Sequence, residues 1–269
     1  EKIWGNEGKL AARNMKKNKN VTQNITLLFI SISAVIAISV VGDFVKTYVG
    51  DVFRGAELQG FADGEMNQEF IDQVKHMEGI DKVMPLYVMN QEISGNHITF
   101  ARMEGTDDLE TYSAMLAINY TNPEMKAQAA EAFREKRSII INEDTLKAMD
   151  CGVGDTIQLS KGNEEIPYTI AGSFKSRVSD VQAVIPAAYA AVDFNQTSYG
   201  FMAYTAADPD AIMIQVRELF GDTANWSRTV EEFNKDALST ISGFLAPMND
   251  MTYFILILAA IGIINNLLI

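Results

Sequence analysis

From Val21 to Gly42 the chain carries no charged residue over 22 positions, and from Met251 to Ile269 none over 19. A helix rises about 1.5 Å per residue, so the two runs span roughly 28–33 Å, close to the hydrocarbon thickness of a bilayer. Twelve residues of the first run are Leu, Ile, Phe or Val. A buried core helix rarely runs so far without a charge. The apolar core of a signal peptide is shorter and closes on a small-residue cleavage site, whereas this run passes into Gly42-Asp43-Phe44. Residues 21–42 and 251–269 are therefore predicted to be transmembrane helices.

The pattern continues beyond both runs. Phe44, Val45, Tyr48, Val49, Val52 and Phe53 recur at spacings of one and three, which marks one helical face. A second stripe, Val230, Phe233, Ala237, Ile241 and Leu245, leads past Pro247 into the second run. Both are predicted to be stalk helices (43–58 and 230–250) that pack on each other. Phe44, Tyr48 and Val52 on one side, and Phe233, Ala237 and Ile241 on the other, are the candidate residues for passing motion between membrane and domain.

Between the stalks the periodicity is mixed. Helices are predicted over 65–77, with Phe70, Val74 and Met77 inward, and over 123–136, 143–149 and 209–220. In the last, Ala211, Ile212, Ile214 and Leu219 are expected inside. Strands are predicted over 82–93 and 97–104, joined at Ser94-Gly95-Asn96. Further strands fall at 137–142, 156–160, 168–174, 183–185 (stopped by Pro186) and 200–205, with a hairpin turn at Lys161-Gly162-Asn163. The fold class is α+β: an extracytoplasmic mixed α/β domain, residues 43–250, on two stalk helices that continue into transmembrane helices.

Charge sets the orientation. Residues 1–20 carry a net +4, the spans carry none and the whole chain is −13, so residues 43–250 carry −17. Basic residues concentrate on the cytoplasmic side of short loops. Residues 1–20 are thus expected inside and 43–250 outside the cytoplasm, in a multi-pass cell-membrane protein. Lys9, Arg13, Lys16 and Lys17 form one stripe of a basic amphipathic helix, which should rest on membrane lipids. So acidic a domain repels nucleic acid. The one cysteine, Cys151, has no intrachain partner.

Enzyme chemistry finds no residues to stand on. The chain has no G-x-x-x-x-G-K-[ST] phosphate loop and no G-x-S-x-G elbow. Its two histidines, His76 and His97, fall on separate elements without metal-ligand spacing. No catalytic, cofactor-binding or metal residue is assigned.

Several segments, in order, resemble the FtsX/MacB-like permeases of ABC transporters. Leu10-Ala11-Ala12-Arg13-Asn14 and the basic cluster after it are similar to that family's cytoplasmic entry. Ser138 to Asp144, then Gly152-Val153-Gly154-Asp155-Thr156-Ile157, resemble its core-domain strand, helix and Gly-Asp pair. Tyr168 to Gly172, Val184-Ile185-Pro186 and Ala260 to Asn266 resemble later landmarks. Residues 107–136 match nothing in the pattern. The resemblance implies a non-enzymatic permease with one span before the ectodomain and three after it. It also implies a cytoplasmic ABC ATPase as partner, which binds the ATP, and a second permease half or second copy. Lipids, lipoproteins, peptides and cell-wall hydrolases are the targets such proteins act on. The start at Glu1-Lys2 suggests an internal repeat of a longer permease, with further spans beyond Ile269. The rival reading is the ectodomain and spans of a membrane sensor such as a histidine kinase receptor. The Asn265-Asn266 pair, with no basic stop signal after it, leans toward the permease.

Overall fold

The computed structural model describes residues 5, 6, 8, 9, 13, 19–162 and 164–267. Lys9 and Arg13 are helical and exposed, while Lys16 and Lys17 lie outside the described residues. The basic stripe of the sequence reading is therefore described only in part.

The chain divides into two compact units, a domain of residues Asp51–Phe233 and a helical unit on either side of it in sequence. The helical unit holds α1, Lys19–Gly50, and all but the first turn of α8, Val230–Leu267. Stretches of 26 and 29 residues in these helices, Ile25–Gly50 and Val230–Leu258, are long and apolar enough to cross a membrane. Their apolar side chains face outward. Phe29, Ile30, Ile36 and Val40 on α1 are exposed, as are Phe254, Ile257, Leu258 and Ile261 on α8. A core helix of a water-soluble protein would bury such a surface, whereas lipid is a good solvent for it.

The two helices approach each other at Gly42 and Leu245, and the less exposed residues of α1 form a stripe of small and branched side chains. On α1 it runs through Ser31, Val35, Ile38, Gly42, Val45 and Val49, at helical spacing. A Cβ on Gly42 would lie 2.8 Å from Leu245 Cδ1, so the missing side chain lets α8 come close. Ile241, Leu245 and Asn249 are half-buried on the α8 side. Phe44 and Tyr48, expected on the packing face, are 69% and 61% exposed and stack on each other at 6.4 Å. The inward residues of that stretch are their neighbours Val45 and Val49.

The domain is built around a ten-stranded sheet. Its strands are β1 Gly60–Met66, β2 Ile80–Ser94, β3 Ile98–Thr106, β4 Asn119–Tyr120, β5 Ser138–Asn142, β6 Thr156–Lys161, β7 Glu164–Lys175, β8 Ala183–Pro186, β9 Tyr199–Ala206 and β10 Asn225–Thr229. The helices between them are α2 Gln68–Lys75, α3 Leu109–Met115, α4 Pro123–Glu135, α5 Glu143–Ala148, α6 Ala187–Phe194 and α7 Pro209–Phe220. Asn67, Asp108, Asn122, Asn142 and Asp208 cap α2, α3, α4, α5 and α7 through their side-chain oxygens. Pro123 and Pro209 each occupy the first helical turn, where a missing N–H costs nothing.

The fifteen-residue β2 joins two layers. Its first half pairs with β9, in the antiparallel order β10-β1-β9-β2. With α2 and α7 as crossovers this is a split βαβ layer. Its second half pairs with β3 and, at Ile93 and Ser94, with β6. The path β2-β3-β8-β5-β7-β6 then returns to β2, so six strands close a small barrel. Met89, Met103, Ile139, Ile141, Ile157 and Ile170 are among the side chains that fill it. Gly154, at φ +96°, donates its N–H to Ile170, which donates in return to Asp155, so the Gly-Asp pair docks the turn before β6 onto β7.

The split βαβ layer buries both faces by strand alternation. Ala62, Met202, Tyr204 and Ala206 pack under α2 and α7, with Ile212, Met213, Val216 and Phe220. The α7 phase differs from the sequence reading. Ile212 is buried as expected, but Ala211 and Ile214 are exposed, Leu219 is 36% exposed, and Met213 and Val216 take the inward positions. Asp208 caps the helix with Pro209 in its first turn, and the start so fixed sets the phase. The opposite face presents Phe61, Met84, Leu86 and Ala203 to α3. Pro186 ends β8 as expected, but it is also the N-cap of α6, which the sequence reading missed.

Candidate functional site

The face of the split layer turned toward α3 holds a cavity of about 260 Å³. Its apolar wall is a cluster of five aromatic rings from five segments. Phe53 precedes β1, Phe61 is on β1, Phe201 on β9, Trp226 on β10, and Phe233 stands in the first turn of α8. Phe61 is the centre. Its ring lies 6.3 Å from Phe53, 6.1 Å from Phe201, 5.2 Å from Trp226 and 6.1 Å from Phe233. Phe53 meets Phe233 edge to face at 5.3 Å. Such pairs contribute about 0.5–1.5 kcal/mol each beyond the area they bury.

The other wall is polar: Asp63, Arg102, Glu104, Ser179 and Asp180. Arg102 and Glu104 alternate on β3 with Ala101 and Met103, which point into the barrel. Arg102 lies 3.9 Å from Asp63 at the rim. Glu104 is 3% exposed and accepts a hydrogen bond of 2.7 Å from the buried Tyr112 hydroxyl on α3. Burial holds its carboxyl above the usual carboxylate range, although Tyr112 and Arg102 pull the other way. The Tyr112 phenol is driven far up, first by burial and then by the carboxylate beside it.

Segments at both chain ends of the domain are fixed around this cavity. Val230 donates its N–H to Gln59 O at 2.9 Å, tying the start of α8 to the residue before β1. Glu232 N–H donates to Thr229 Oγ1, and Thr229 N–H donates to Glu232 Oε2, a reciprocal cap on α8. Arg217 on α7 grips the same Glu232 carboxylate at 2.6 and 3.0 Å. That guanidinium holds the Glu232 carboxyl below its ordinary range. On the other side, Glu57 and Leu58 donate backbone N–H groups to Ala114 and Met115 of α3.

Of the candidate coupling residues, Val52 and Phe233 line the cavity. Ala237 and Ile241 are half-buried on α8, and Phe44 and Tyr48 are exposed on α1. The sequence reading did not find Phe61, Phe201, Trp226 or Glu104. For Glu104 a signal existed: strand alternation puts it beside Ala101 and Met103 in a run that should be buried on both faces. Among the described residues, no group of three His, Cys, Asp or Glu side chains could hold a metal ion.

A family model described as MacB-like periplasmic core domain matches residues 24–219. No curated protein matches the chain. Among solved structures, the periplasmic region of MacB from Actinobacillus actinomycetemcomitans superposes with a TM-score of 0.51 at 12% identity, covering 68% of this chain and 94% of that one. The extracellular domain of the noncanonic ABC-type transporter YknZ from Gram-positive bacteria gives 0.44 at 12% identity, covering 64% and 99%. A domain of a putative permease protein from Porphyromonas gingivalis gives 0.42 at 11% identity, covering 65% and 88%. At these identities the first likeness bears on the fold alone.

Proposed function

The chain belongs to the family of MacB-like periplasmic core domains, and from that premise we propose that it is a permease subunit that couples ATP hydrolysis by a cytoplasmic partner to motion of its extracytoplasmic domain. The family is a transporter component rather than an enzyme class. In this reading the partner ATPase binds the ATP and this chain does not.

One observation supports the coupling: both chain ends of the domain converge on one aromatic cluster. Phe53 directly follows the α1 side of the chain and Phe233 opens α8, and the two rings touch. Rearrangement of the paired helices by nucleotide-driven closure would change the distance between these rings. Phe61 carries that change into β1, and the Gln59–Val230 hydrogen bond carries it into the layer β10-β1-β9-β2. Rings in mutual contact would pass a displacement from one segment to the next. The substrates of this motion would be lipids, lipoproteins or peptides at the outer side of the membrane, for export, extraction or signalling. A second permease half or a second copy completes the transporter.

The sensor reading is not favoured, because the match is to a MacB-like periplasmic core domain. Affinity purification of the full-length protein from its native membrane tests the choice. Recovery of a P-loop ATPase with it is the expected result. A chain that continues into a histidine kinase module, with no ATPase recovered, would overturn the proposal.

A further inference from the structure

The cavity beside β1 and β9 has a chemistry of its own. One wall is aromatic, and the faces of such rings carry partial negative charge that attracts cations. The other wall sets three carboxylates, Asp63, Glu104 and Asp180, against one guanidinium, Arg102, among the described residues. Arg102 lies 3.9 Å from Asp63. Glu104 is buried, and its hydrogen bond comes from an uncharged phenol. An anion would be repelled by this wall. A neutral apolar guest would seal the buried Glu104 carboxylate in without offering it a donor or a charge, which is costly. We propose that the cavity binds a small organic cation, an ammonium or guanidinium group carried on a compact apolar body, with the apolar part against the five rings and the charge toward Glu104. A volume of about 260 Å³ suits one ring or short alkyl body and is too small for a diacyl lipid. The site includes Phe53 and Phe233, so an occupant would touch the cluster to which coupling is assigned above. The binding itself stands or falls without the permease reading.

The test uses the full chain in lipid nanodiscs with no ATPase present. The sequence has two tryptophans. In a Trp4→Phe background Trp226, on the cavity wall, is the chain's only tryptophan. Its fluorescence is titrated with phenethylammonium chloride and, separately, with the uncharged 2-phenylethanol. The expected result is a saturable change with the ammonium, at least about tenfold weaker with the alcohol, and at least about tenfold weaker for the ammonium in Glu104→Gln. Equal affinities for the two probes, or no saturable response to the ammonium, would overturn the proposal. Should Glu104→Gln fail to fold, Asp180→Asn serves instead. It should weaken the ammonium by about threefold and leave the alcohol unchanged; no weakening would equally overturn the proposal.

Discussion

Two carboxylates of the domain are each only 3% exposed, yet their environments push them in opposite directions. Asp193 accepts from Arg137 Nε at 2.7 Å and Nη2 at 2.9 Å, and from the Tyr168 hydroxyl at 2.7 Å. The Arg137 hydrogen bond leads in holding its carboxyl below the ordinary value. Glu104 has a single phenol donor, and burial wins. The signs follow from which state binds more protons. Asp193 contributes stability above the ordinary carboxylate range, and that contribution is lost as pH falls through its lowered folded value. Glu104 does the reverse: between its ordinary and its raised folded value the native state holds the extra proton, so stability falls as pH rises through that window. Thermal melts from acid to neutral pH should separate the two. Asp193→Asn is expected to cost about 3 kcal/mol at neutral pH and to flatten the acid limb, because Arg137 loses its charged partner. Glu104→Gln should flatten the decline on the rising-pH side without that loss. A parallel response of both variants would contradict this assignment. None of it was legible from composition, which shows 35 acidic residues and no sign that Glu104 and Asp193 are buried.

The elements were legible where a local signal is strong. The charge-free runs, the Ser94-Gly95-Asn96 turn between β2 and β3, and the strand–helix–turn–hairpin series from Ser138 to Lys175 all lie close to where the sequence put them. β1 carries no strand signal in the sequence, and its last two residues fall in the helix predicted over 65–77, because Gly60-Phe61-Ala62-Asp63-Gly64-Glu65-Met66 has two glycines, two acids and no clean alternation. It is a strand because β9 and β10 pair with it on both sides, a tertiary effect that no window of seven residues contains. The cavity was illegible for the same reason, since its rings come from segments scattered between Phe53 and Phe233. Two expectations belong at this scale. Thr229→Ala removes the reciprocal cap of α8 and should cost about 1 kcal/mol in domain stability, read by denaturant titration. Gly42→Leu should force α1 and α8 apart and lower the melting temperature of the detergent-solubilised protein. Leu245→Ala should restore part of that loss, because it removes the atom the new side chain meets. Failure of the second change to rescue the first would show that the helices do not meet there.

At the scale of the molecule, residues Asp51–Phe233 form a compact domain within the stretch 43–250 expected to comprise a core and two stalks. The residues outside it belong to the two long helices. Phe44 and Tyr48 face outward on α1, whereas Phe53 and Phe233 sit together inside the domain. In the proposed coupling, the aromatic cluster around Phe61, where the Phe53 and Phe233 rings meet, is the link between the chain ends of the domain and its sheet. Trp226 reports on it directly, because its ring lies 5.2 Å from Phe61 and 6.1 Å from Phe233. The decisive measurement is Trp226 emission, in the Trp4→Phe background, from the intact transporter reconstituted with its ATPase, before and after trapping with ATP and vanadate. The account expects a shift on trapping that disappears in Phe53→Ala/Phe233→Ala while the domain keeps its circular dichroism. An emission indifferent to trapping, or a shift that survives the double substitution, would contradict it.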